Sequence, residues 1–591
     1  MKRITIQQLC LILLLSAWGT GCDLIDMSPK GVITDKSYWS KVEDLELYAN
    51  GLYGYLPRPT AHGDEGSDNF VKNNKVAILF DNMNQESASG GWSWGDIGSC
   101  NYFLQRVGNV KGDEKEINKY TAEVRFFRGL LYYNKIKRYG DVPWYETDLK
   151  TNDEELLTKP RDKRDEVLGK IIEDMEYAIR WLPEKENAVL GRLHKDAART
   201  QLARICLYYG TYMKYHGQSG SGDLTPNNLL KKVVKLTDDI MATGRYEIVQ
   251  GSDQGCDQLS FPDYPLYYSN QFTQRDLSTN KENILARYYT EGVLTHETGR
   301  QVGENGVGLS KDFVESFLMK DGTPIYNPES GYKGDENLGD EFVDRDPRIY
   351  QIIDNPHKPY RVKNGERYVN ELPSVDNVRG VTGYPCVKYR SANEKQENAR
   401  NTYYDWFIYR YAEVLLMNAE AHAELGSCTQ PILDKTINKL RDRVEMAHLT
   451  VNPTVDAAPV NYGYTISPLL YEIRRERRIE LIAEGRRFDD LQRWNAMTLL
   501  ENPKTMLGIR ITPSVREAYK KANTTFGPDA RPTIEYQGKT YLYQYPGTSL
   551  QNNGRKWTKD DKRWLFPIPK DQLILNRNLT QNPGWEGVSG K

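Results

Sequence analysis

Four stretches repeat one pattern: apolar residues at helical spacing, then a residue that stops a helix. Residues 115–139 put Val124, Phe127, Leu131 and Asn134 on one predicted face, with Gly140 where a C-cap belongs and Pro143 beyond. Residues 165–182 align Val167, Ile171, Met175, Ala178 and Leu182 before Pro183. Residues 195–209 align Ala198, Leu202, Ile205 and Tyr209 before Gly210. Residues 406–425 align Ile408, Tyr411, Leu415 and Leu425 before Gly426. Stripes of this kind must be buried against one another, so the expected fold is mainly α. Helix pairs stacked as in a tetratricopeptide-type solenoid are the expected arrangement, although that repeat's consensus pattern is absent. Residues 38–56, 431–446 and 468–494 read as further helices.

Residues 57–95 are rich in Gly, Asn, Asp and Ser and read as loop. The stretch 216–400 is rich in Gly, Asn, Asp, Pro and Tyr with little helical period, and reads as a long, irregular, loop-rich insertion lobe. The expected organisation is an N-terminal helical part over about 38–215, the insertion over about 216–400, and a C-terminal helical part with a closing segment over about 401–591. Loops displayed on a rigid scaffold are where binding usually resides.

The N-terminus has its own logic. Lys2 and Arg3 precede an apolar run through Leu9 and Leu11–Leu15, then Gly19, Thr20, Gly21 and Cys22. This reads as an export signal over residues 1–21. The run is too short for a spanning helix, which needs about 20 apolar residues. Cys22 is either incidental or the lipidated first residue of a mature lipoprotein. The lipoprotein reading is adopted, although Gly19 stands where such signals usually carry Leu. The formal charge of −2 and the export signal argue against a nucleic-acid partner. The cysteines Cys10, Cys22, Cys100, Cys206, Cys256, Cys386 and Cys428 contain no CxxC pair. They read as buried small hydrophobes rather than a disulfide framework or zinc site.

No phosphate loop, dinucleotide fingerprint or nucleophile elbow is present, and His296-Glu297 lacks a second ligand one turn on, where Arg300 stands. No catalytic residue, metal or cofactor is therefore expected. In the segment 472–487, Glu472, Glu476, Glu480 and Glu484 interleave with Arg475, Arg477 and Arg487. A solvated helix with pairs worth about 0.2–0.5 kcal/mol each is the expectation, its arginines available to a neighbouring helix.

The aromatic balance points to binding: 40 Tyr and 11 Trp against 14 Phe. A ring with a polar edge can stack on the apolar C–H face of a sugar and hydrogen-bond at its rim. Trp92 and Trp94, in Gly90-Gly91-Trp92-Ser93-Trp94-Gly95, are candidate platforms or else core plugs. Trp94 is the weaker, because it adjoins the helix through Ile97 and Asn101. Tyr288 and Tyr289 in the insertion are further candidates, expected at strand spacing to face one in and one out.

TAEVRFFRGLLYYNKIKRYGDVPW (121–144), GRLHKDAARTQLARICLYYG (191–210), MKDGTPI (319–325), DRDPRI (344–349), RYAEVLLMNAEAHAELG (410–426), RRERRIELIAEGRRFDDLQRW (474–494) and FPIPKDQLILNRNLTQNPGW (566–585) occur in this order. Together they resemble the SusD/RagB family of nutrient-binding outer-membrane lipoproteins of Bacteroidetes. The resemblance implies a SusD-like body of four tetratricopeptide-like units and a lobe with a shallow glycan-binding face. It also implies a lid role over a SusC-like TonB-dependent transporter, with oligosaccharide as ligand. Family stacking aromatics precede a YxxIxxxN motif, where Trp94 takes the motif's aromatic place, leaving Trp92 as the unoccupied platform. A peptide-binding uptake protein of the same fold and, more remotely, a surface glycoside hydrolase are the alternatives.

Overall fold

The computed structural model describes residues 38–84, 91–249, 267–356, 361–363, 366–368, 371–391, 393–527, 530–550 and 555–586. Residues 1–21, read from sequence as an export signal, lie outside them, as do Cys22 and Cys256. The helical body comprises α1 (Val42–Leu52), α2 (Gly95–Arg106), α3 (Glu114–Tyr139), α4 (Arg164–Trp181), α5 (Lys195–Tyr215) and α6 (Pro226–Met241). After the lobe it resumes with α7 (Tyr411–Glu424), α8 (Gln430–Lys435), α9 (Ile437–Arg443), α10 (Pro468–Glu480) and α11 (Arg487–Arg493). Each helix from α3 to α7 packs on the next, and α7 packs on α10, so successive pairs share one apolar core. No helix among the described residues is long and apolar enough to cross a membrane.

Local chemistry sets the ends of α3. The Asp113 side chain accepts from the Lys115 N–H, Glu114 and Glu116 occupy the first turn, and Lys137 and Arg138 the last. Gly140 closes it at φ 72°. The single predicted face is too narrow. Val124 and Phe127 are buried, but so are Phe126, Leu130, Tyr132 and Tyr133, while Leu131 is half-buried and Asn134 exposed. The reason is that α1, α2 and α4 all pack on α3.

Gly210 does not end α5, which runs to Tyr215. A Cβ there would lie 3.2 Å from Leu230 and 3.3 Å from Leu229, so this glycine lets α6 approach closely. Helix α6 itself falls within the stretch read as loop-rich insertion. Thr225 caps it, Pro226 opens it, and Leu229, Leu230, Val233, Leu236 and Ile240 are buried.

Three predicted helices are interrupted. Residues 406–410 form strand β6 (Trp406–Arg410), which pairs antiparallel with β2 (Asn283–Arg287) before the chain enters α7. The 431–446 segment breaks at Thr436, between α8 and α9. The 468–494 segment breaks between α10 and α11, where Ala483 and Gly485 take positive φ. The supposed loop 57–95 causes this last break. It contains β1 (Phe70–Lys72), antiparallel to β3 (Val307–Leu309), and its residues Asp64, Ser67, Asp68 and Asn69 are buried. Asp64 accepts from the backbone N–H of Ala483 at 2.7 Å and of Arg487, while Asp68 takes a bidentate pair from Arg487 at 2.8 Å.

The lobe adds the hairpin β4 (Arg361–Lys363) with β5 (Glu366–Tyr368), and beyond α11 a three-stranded antiparallel sheet sets β9 (Lys539–Tyr543) between β7 (Leu507–Arg510) and β8 (Thr533–Tyr536). A second core around Phe70, Leu309, Phe313, Ile349, Tyr404 and Ile482 holds the lobe together. Cys100, Cys206 and Cys386 are buried, Cys428 half-buried, and none of these four is in a disulfide.

The helix read as solvated is in fact buried. Arg474, Glu476, Arg477, Arg478 and Glu480 are all nearly inaccessible. Their partners lie on other elements: Arg474 with Glu424 at 3.0 Å, Arg478 with Asp312 at 2.8 Å, and Glu476 with Arg441 at 3.0 Å. The charge alternation supplies one half of an ionic lattice; the other half comes from distant sequence. Burial alone would raise the Asp68 carboxyl, but Arg478 and Arg487 outweigh it and hold it at about 2.

Candidate functional site

Segment 91–94 enters α2 across the C-terminal end of α3. Trp92 is only 4 % exposed, its ring edge-on to Tyr139 at 4.9 Å and to Trp94 at 5.5 Å. A ring so enclosed has no face to offer a ligand, so the expectation of Trp92 as the accessible platform is corrected: it plugs the core. The order of the two tryptophans is reversed by a simple cause. Trp94 is the N-cap residue of α2, and a residue at a helix entry lies at the rim of the packed body.

Trp94 is half-buried and lines an open cleft of about 510 Å³ with Tyr48, Tyr102, Tyr145, Thr147 and Asp148 among its walls. Tyr48 and Tyr102 stack with centroids 6.0 Å apart and planes at 19°. The Arg106 guanidinium lies 3.5 Å from the Tyr102 centroid, and the Tyr145 ring stands edge-on to Trp94 at 5.3 Å. Asn101 fixes one wall, donating to the Tyr145 carbonyl at 2.8 Å and the Thr147 carbonyl at 3.2 Å while accepting from Arg128 at 3.1 Å. Arg128 is itself held by Asp174 at 2.7 Å. The cleft thus offers flat aromatic surface with hydroxyl and carbonyl groups at its edges. Tyr48, Tyr102 and Tyr145 were not singled out from sequence. Their common signal, tyrosine rather than phenylalanine beside apolar helix positions, recurs throughout the chain and marks no location.

Tyr288 and Tyr289 lie just beyond the end of β2 at Arg287, so the strand rule does not govern them and both are half-buried. The Tyr288 hydroxyl accepts from Asn283 at 3.1 Å, and its ring lies against Gly191. The Tyr289 backbone N–H donates to Asp405 at 2.8 Å, and its ring meets His296 edge-on at 4.5 Å. Asp405, pushed up to about 6 by burial, also lines a smaller cleft of about 80 Å³ with Arg58, Trp406 and Phe407. Neither Tyr288 nor Tyr289 lines the Trp94 cleft or the Asp405 cleft. Residues 53–58 run between them: Tyr55 interacts with Ser99 and Asp96 of α2, and the carbonyls of Tyr53, Leu56 and Pro57 accept from Arg287. Two aromatic patches therefore flank one connecting segment. Among the described residues no group of three or more His, Cys, Asp or Glu is arranged to hold a metal ion.

A body of stacked helices with a small-sheet lobe and aromatic clefts defines a binding scaffold, and the comparisons name its family. Residues 268–585 match the SusD family, and residues 58–207 match a family described as starch-binding associating with outer membrane. The first match spans more than half of the 591 residues, and the chain belongs to the SusD family. It is 22 % identical to SusD-like protein P2 of Formosa agariphila, over 99 % of this chain and 100 % of that one. A SusD-like protein from Bacteroides fragilis has the same fold, with TM-score 0.68 and 22 % identity over 93 % of this chain and 99 % of that one. So does a SusD-like carbohydrate binding protein from the same species, with TM-score 0.67 and 22 % identity over 92 % and 100 %.

Proposed function

We propose that this protein is a surface lipoprotein of the outer membrane, anchored through Cys22. It captures oligosaccharide and hands it to a SusC-like TonB-dependent transporter without cleaving it. The observation that carries the ligand class is the Trp94 cleft, where the half-buried rings of Trp94, Tyr48 and Tyr102 present flat apolar surface beside Thr147 and Asp148. Pyranose rings need both, a C–H face to stack and hydroxyls to pair. Membership of the SusD family supports the transporter and membrane roles. The cleft is open rather than enclosing, so the affinity belongs in the micromolar to millimolar range, on the order of −4 to −8 kcal/mol.

The test is calorimetry of the mature protein against plant, host and microbial glycans, with Trp94→Ala and Trp92→Ala compared. Loss of one stacking ring should cost about 1–2 kcal/mol, roughly ten-fold in affinity, for Trp94→Ala. Trp92→Ala should act mainly on the unfolding midpoint. Binding of peptides and no glycan would reject the oligosaccharide reading, and shortened sugars appearing during titration would make the protein a hydrolase.

A further inference from the structure

We infer that Lys135 of α3 is the positioning residue of the Trp94 platform, tying segment 91–94 to the helical body and so fixing the indole in its cleft. The inference rests on the glycan-binding reading of that cleft. The Lys135 Nζ donates to the Gly91 carbonyl at 2.7 Å and to the Ser93 carbonyl, and it lies 5.0 Å from the Trp94 ring centroid. One ammonium thus grips the backbone on both sides of Trp92 and touches the ring that follows.

The segment needs such a grip. The Trp94 carbonyl accepts from the Gly98 N–H at 2.8 Å as α2 begins, whereas the Gly91 and Ser93 carbonyls ahead of it take the Lys135 ammonium. Trp94 occupies the N-cap position without a side-chain cap bond, so the entry to α2 lacks the usual Ser, Thr, Asp or Asn device. An ammonium has three donors and no acceptor, which suits two carbonyls and a ring face together. The same face of α3 leaves the segment little room: a Cβ on Gly91 would lie 2.3 Å from the Tyr139 hydroxyl and 2.8 Å from Arg138 Nε. Trp92 below is packed on Tyr139. With floor and backbone fixed, the indole at 94 has one place to stand.

The charged state of Lys135 is open to change. Burial pushes the ammonium down to about 8; Asp96 of α2 acts in the opposite direction, and Arg138 of α3 adds to the burial effect. Tyr132 and Tyr139 of α3 and Tyr145 beside the Trp94 ring also face the segment, and burial raises all three phenols above their ordinary value. Near pH 8 the lysine is therefore the group whose charge changes. Without the charge, the attraction to the ring is lost and both carbonyl bonds weaken.

The test compares wild type with Lys135→Met, which keeps the stem, and Lys135→Arg, which stays charged. Two readouts are taken: glycan affinity from pH 6.5 to 9, and amide exchange over residues 91–98. Lys135→Met should exchange faster there and bind about ten-fold more weakly. Wild-type affinity should fall as pH rises through 8, and Lys135→Arg should restore binding and flatten that profile. Gly91→Ala, whose Cβ would crowd the Tyr139 hydroxyl and the Arg138 guanidinium, should weaken binding in the same direction. Unchanged exchange in Lys135→Met overturns the inference, as does a loss of affinity with exchange unaltered, which would make Lys135 a direct ligand contact. If wild type binds no glycan, the functional reading fails, and the exchange experiment still decides whether Lys135 orders the segment.

Discussion

Replacing Glu480 by Gln tests the buried ionic lattice directly. Glu480 is fully buried at the end of α10 and accepts from Arg410 at 2.8 Å, from Arg348 at 3.1 Å and from Arg443. Around it, the cations Arg348, Lys388, Arg410, Arg441 and Arg443 meet the carboxylates Glu282, Asp346, Glu476, Glu480 and Glu484, five against five. Burial alone would raise the Glu480 carboxyl, but Arg443, Arg410 and Arg348 outweigh it and hold it well below the usual carboxylate range. The amide keeps the shape but leaves five cations against four anions, and its NH₂ group must face an arginine donor. Breaking a buried pair in this way costs about 3–5 kcal/mol. A solvated helix with the same sequence would lose only about 0.2–0.5 kcal/mol per pair. Urea unfolding followed by tryptophan fluorescence separates the two. The shift should change little between low and high salt, because buried charges are poorly screened. A shift below about 1 kcal/mol, or one abolished by salt, would refute the lattice as a structural element.

Other outcomes follow from different parts of the molecule. Cys22→Ala should move the protein from the outer membrane to a soluble fraction, because two or more acyl chains are what make such attachment stable; retention at the surface would reject the anchor. Mild detergent extraction should recover a large TonB-dependent transporter with the protein, and recovery alone under several detergents, with transport intact after deletion, would count against the lid role. Gly210→Leu should destabilise by about 1–3 kcal/mol although leucine is the better helix former, because Leu229 and Leu230 occupy the space; an unchanged urea midpoint would contradict the close α5–α6 approach. Burial depresses His62 to about 3 and His194 to about 4, against an ordinary value near 6.5. Depressed histidines contribute stability that is present above pH 6.5 and lost as pH falls through their folded values. Thermal midpoints should accordingly fall between pH 6.5 and 3, and His62→Gln with His194→Gln should flatten that part of the profile.

Much of the scaffold was legible because it is local. Helices α3, α4 and α5 follow from apolar spacing and terminal chemistry within about one turn, and Gly140 and Gly426 both take the positive φ that a helix end requires. Even α6 was legible, since Thr225-Pro226 and the 229–230–233 spacing are ordinary helix signals; the surrounding Gly- and Asn-rich composition hid it. The family was legible for a different reason, namely several modest motifs in a fixed order.

The sequence by itself determined a mainly helical scaffold of the SusD family, because periodicity, caps and ordered motifs act over short stretches of chain. Tertiary structure decided which groups are buried and which are presented. The Glu/Arg segment looks like a solvated face until Asp68, Asp312, Glu424 and Arg441 arrive from distant sequence to neutralise it. Trp92 and Trp94 are neighbours with the same side chain in the same loop, yet Tyr139 closes over one and leaves the other at a cleft. Exposure depends on what packs against a residue across space, and two residues of separation along the chain carry no information about that.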